Sequence, residues 1–122
     1  MIIDFHTHIF PEKIAGKTIE SLEKLSGITA STNGTLEGLL ASMENTGVDM
    51  SVLMPVATKP SQMESINTYA KEICDKYPGK LISFGGIHPD VWDYKKELKH
   101  IKELGLKGIK IHPDYQGVMI DD

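Results

Sequence analysis

Two histidines separated by one residue, His6 and His8, stand in the stretch IIDFHTHIFP, Ile2 to Pro11. Side chains two apart on a strand project from the same face, so the two imidazoles lie side by side at the strand's end. That is a chelating arrangement for one divalent ion, and imidazole suits zinc, iron, nickel or manganese. Asp4 lies two residues further back on the same face. It is expected either to orient one imidazole from behind or to be a buried, hydrogen-bonded carboxylate. The plain alternative for the pair is two histidines that merely cap a core strand.

The tetrapeptide IHPD occurs at Ile87–Asp90 and again at Ile111–Asp114, each time closing an apolar run. Proline confines the preceding histidine to extended geometry and marks the change from strand to loop. His88 and His112 are therefore expected at the mouth of the fold with Tyr115, where the three would hold a substrate. For His88 the alternative is a loop histidine bonded to backbone. The segment PDYQG adds Asp114 and Gln116 as further polar groups, and Lys110 shares a strand face with His112. Lys110 reads as an ion-paired or snorkelling lysine rather than a carbamylated bridge between two metals. His100 falls off its helix's apolar stripe and is expected in solvent.

These side chains need a scaffold. Four short β-rich runs, Ile2–His8, Ser51–Val56, Leu81–Ile87 and Gly108–His112, read as strands. Between them, Leu36, Leu39, Leu40 and Met43 form one helical stripe ending near Gly47. A second begins with a capping box, Ser61 and Glu64, and runs through Met63, Ile66, Ala70 and Ile73 to Pro78-Gly79. A third comprises Val91, Tyr94, Leu98, Ile101 and Leu104, with Gly105 as C-cap. Pro11 to Leu25 predicts an extra helix over the strand ends. Alternating strands and helices give an α/β architecture of parallel β/α units in a single domain, residues 1–122.

Composition narrows the partners. The 17 acidic residues outnumber 13 basic ones, all lysine, for a net charge of -4. Without arginine the bidentate contacts to phosphates and bases are missing, so nucleic acid is not an expected partner. Lys95, Lys96, Lys99 and Lys102 read as a solvated helix face. The single cysteine, Cys74, excludes an internal disulfide and suits a reducing compartment as a packed thiol. With no signal peptide and no apolar run long enough to span a bilayer, no membrane partner and a cytoplasmic address are expected.

The combination of IIDFHTHIFP, GGIHPD and GLKGIKIHPDYQG resembles the N-terminal half of metal-dependent hydrolases of the amidohydrolase superfamily, in its second branch, which also holds decarboxylases. The resemblance covers the whole chain. It implies the first four strands of a TIM-type (β/α)8 barrel, a half-barrel, since a closed barrel needs roughly 200 residues or more. It assigns His6 and His8 as ligands of a divalent metal, zinc above all, acting on a small carbonyl-containing substrate such as an amide or lactone. The family's remaining ligands and its catalytic residues belong to later strands, beyond Asp122. An open barrel edge implies self-association or a homo-oligomer. The rival readings are a decarboxylase, a metal-dependent phosphoesterase or nuclease, and a half-barrel module without catalysis.

Overall fold

The computed structural model describes residues 1–119 and 121. Its strands are β1 (Ile3–Thr7), β2 (Met50–Leu53), β3 (Leu81–Ser83), β4 (Gly85–Gly86) and β5 (Ile109–Lys110). The helices are α1 (Glu12–Ser26), α2 (Leu36–Thr46), α3 (Met63–Lys76), α4 (Tyr94–Glu103) and the one-turn α5 (Pro113–Gln116). All pairings are parallel, β1 with β2, β2 with β3, and β4 with β5. The expected α/β order of parallel units is what forms.

The third expected strand is split. At Phe84 the chain changes hydrogen-bonding partner: Phe84 N donates to Leu53 O at 3.0 Å, whereas Gly85 N donates to Gly108 O at 2.8 Å. Two close approaches explain why glycines follow. A Cβ on Gly85 would lie 2.7 Å from Ile101 Cγ1, and one on Gly86 would lie 3.1 Å from the Pro55 carbonyl oxygen. Helix α4 and the chain leaving β2 thus press directly on the β4 backbone. The fourth strand pairs only over Ile109–Lys110, shorter than the run Gly108–His112 suggests.

Apolar burial divides into two clusters. Leu39, Met43, Leu53, Ile73 and Leu81 join α2 and α3 to the first sheet. Ala57, Met63, Ile87 and Ile101 join the start of α3 and α4 to the second. The stripe read for α2 is the buried one, capped by Thr35 Oγ1 accepting from Gly38 N at 3.0 Å and ended by Gly47 at φ 70°.

The start of α3 differs from expectation. A 3-10 turn over Pro60–Gln62 precedes it, and no side chain caps α3 itself, so the Ser61/Glu64 capping box does not form. The Gln62 side-chain oxygen instead accepts from Thr58 N, Thr58 Oγ1 and Lys59 N, which bends the chain into the helix. Deeper in α3, Asn67 is fully buried and clasps the backbone of Gly86, donating to its carbonyl at 3.0 Å and accepting from its N–H at 2.8 Å.

In α4 the four lysines face solvent, as expected, but the apolar stripe is buried only at Ile101. His100 is not free in solvent: it is half-buried, and its Nε2 is enclosed with no hydrogen-bond partner among the described residues. The outer edge of β1 and that of β5 carry no partner strand among the described residues. Their apolar side chains are open accordingly, with Phe5 59% and Ile109 44% exposed. Among the described residues no helix is long and apolar enough to cross a membrane.

Candidate metal centre

Thr7 sets the end of β1. It is buried, and its hydroxyl donates to Val52 O at 2.9 Å, which turns the flanking His6 and His8 to the opposite side. Their ring centres lie 4.9 Å apart with planes at 63°. Imidazoles bound to one tetrahedral ion through nitrogens at about 2.1 Å would have centres roughly 5 Å apart, so the pair fits a shared ion.

His8 is held in place by backbone. Its Nδ1 lies 2.8 Å from the Met54 carbonyl oxygen, and because a carbonyl only accepts, Nδ1 carries the hydrogen and Nε2 keeps its lone pair. Burial, with the charges of His6, Lys110 and His112 adding to it, pushes the His8 pKa down to about 4 against the pull of the Met54 bond. His6, more exposed, is also lowered, by burial first and then by Lys110 and His112, while Asp4 opposes the shift. Both rings are thus held in the neutral, ligating form. Asp4 does not bond an imidazole: its carboxylate is exposed and accepts from the backbone N–H of His6 at 3.2 Å. The orienting contact belongs to Met54 O, a backbone atom with no signature in side-chain spacing.

His112 and Tyr115 form the second part of the site. Their rings stack at 4.0 Å and 12°, and His112 Nδ1 is buried with no hydrogen-bond partner among the described residues. Gln116 is not available to a ligand. It accepts from His112 N at 2.9 Å and donates to Ala57 O at 2.7 Å and Ile87 O at 2.8 Å, tying the ends of three strands together.

His6, His8, His112 and Tyr115 line one cleft of about 740 Å³, whose remaining walls come from α1, the chain after β2 and α3. His88 lies outside that lining: it is 4% exposed, takes a hydrogen bond from Asp90 N on Nδ1 at 3.2 Å, and packs its own N–H against Met63 Sδ. Tyr69 joins the cleft unannounced by any motif, its phenol pKa raised by burial and then by Glu12. Cys74 is half-buried and its thiol is pushed up, by burial first, as a packed thiol should be. Among the described residues no three His, Cys, Asp or Glu side chains gather to hold a metal. Two imidazoles alone are fewer donors than a zinc site uses, so the pair fits a divalent ion only as part of a larger ligand set.

No protein-family model matches the sequence, and no curated protein matches it. Similar solved structures do exist. The 4-oxalomesaconate hydratase of Rhodopseudomonas palustris superposes on 100% of this chain and 46% of its own, with a TM-score of 0.61 at 20% identity. A probable 2-pyrone-4,6-dicarboxylic acid hydrolase of Acinetobacter baumannii, with citric acid bound, matches 95% of this chain and 43% of its own, with a TM-score of 0.54 at 18% identity. At such identities the likeness is one of fold, and the chain spans under half the length of either enzyme.

Proposed function

We propose that this chain is the first half of a TIM-type barrel from the second branch of the amidohydrolase superfamily, and that its site serves metal-dependent hydrolysis of a small carbonyl-containing substrate. The observation that carries this reading is the His6/His8 pair, neutral and 4.9 Å apart, with Met54 O holding His8 so that Nε2 is free. The fold shared with a hydratase and a hydrolase supports it. A divalent ion, zinc in this reading, would supply Lewis acidity toward a carbonyl oxygen. The chain's own residues do the rest of what is expected of this half. His112, braced by the Tyr115 ring, presents an imidazole to the same space, and Lys110 adds positive potential that favours an oxygen-rich, anionic head group. Hydration across a double bond is the second reading, because one of the two enzymes of similar fold is a hydratase.

The test is a panel of lactones, amides, unsaturated keto acids and aromatic carboxylates, assayed on a metal-loaded full-length barrel that contains this half and on its His6→Ala/His8→Ala variant. Turnover of one class, abolished in the double mutant, is expected; turnover that survives it sinks the metal reading. Self-association belongs to the same proposal, since β1 and β5 present open edges with Phe5 and Ile109 beside them. Sedimentation at micromolar concentration should show species heavier than 13.5 kDa, and a strict monomer would contradict it.

A further inference from the structure

We propose that the inner face of α1, opposed by Tyr69, is a binding wall that receives the apolar body of the ligand and so selects which ligands the site accepts. The proposal rests on the preceding reading for the reacting end of the cleft and adds the opposite end. Ile14, Thr18, Leu22 and Leu25 line the cleft at the spacing of one helical face, with Lys17 and Ser21 beside them. A helix placed to stabilise the core would bury that stripe, yet α1 buries only Ala15 while Ile14 is 50% and Leu25 74% exposed. Its apolar face looks instead across the cavity at Ile66 and Tyr69 of α3.

The helix is nonetheless held as a unit. Phe10 N donates to Gly34 O at 2.8 Å, closing the excursion at its base, and Gly34, at φ +72°, packs so tightly that a Cβ would lie 2.7 Å from Ile19 Cγ1. A wall on a closed base keeps its distance from the histidines, which is what selection by length and bulk requires. The volume of about 740 Å³ is that of a small-molecule site. The occupant is therefore a small molecule with a neutral aliphatic or aromatic body and a polar head, the body on α1 and the head toward His6 and His112.

Indole, a neutral aromatic body without a head group, is the probe. Titrated into the chain labelled at isoleucine and leucine methyls, it should shift Ile14, Leu22 and Leu25 by NMR and saturate. Affinity should fall at least tenfold in Leu22→Asp and several-fold in Leu25→Ser, whose side chain is too exposed to matter for folding, and stay unchanged in Phe5→Ser. Shifts centred on Ile3 and Ile109, or affinity unchanged by both α1 substitutions, would overturn the proposal. Indole binding on α1 in a chain that takes up no metal would refute the metal reading and leave this one standing; metal uptake without α1 shifts would do the reverse.

Discussion

Between pH 6.5 and 4 the chelator-stripped chain is expected to lose on the order of 3 kcal/mol of stability through a single side chain, His8, whose pKa falls from 6.5 to about 4 on folding. The direction follows from proton uptake. An unfolded histidine binds its proton as pH drops through 6.5, whereas the folded one, buried and facing His6 and Lys110, resists until about 4. Protonation therefore favours the unfolded chain, so the contribution is whole above 6.5 and gone below 4. Urea unfolding of wild type and His8→Asn at pH 7.5 and 4.5 checks it. Over this range the wild type should lose about 2 kcal/mol more stability than the His8→Asn protein does. Parallel losses in the two proteins would show that His8 is not buried as described.

Replacing Asn67 by alanine should cost about 2–3 kcal/mol, because both backbone groups of buried Gly86 would be left without partners. For a domain of this size that is a large share of total stability and lowers the melting temperature by roughly 10 °C. Asn67→Asp keeps an acceptor for Gly86 N–H but turns a second oxygen on Gly86 O, so it should be at least as damaging. Thermal unfolding that moves by less than a few degrees with both substitutions would contradict this.

The parts that were legible in the sequence are those governed by local periodicity. The strand read from the β-rich run Ile2–His8, the stripe of α2 with Gly47 at its end, and the extra helix after Pro11 all appear where pattern alone placed them. The His6/His8 pair was legible for the same reason, since a period of two needs no tertiary knowledge. What escaped depends on partners distant in sequence. The split at Phe84 reflects α4 pressing on Gly85, Met54 O reaches His8 across 46 residues, and Asn67 meets Gly86 across 19. Gln116 shows the same limit from the other side: a polar loop residue read as available to substrate is spent on three backbone groups. His88 and His112 share one tetrapeptide, yet only His112 lines the cleft, because identical local sequence does not fix which side of a loop faces the cavity.

Equilibrium zinc binding to the stripped chain, with protein mass measured on the same sample, decides whether His6 and His8 are metal ligands. Uptake approaching one zinc per chain is expected, weakened at least about 100-fold in His6→Ala/His8→Ala and unaltered in His88→Ala. Zinc uptake that is negligible in the wild type, or equal in wild type and the double mutant, would contradict it.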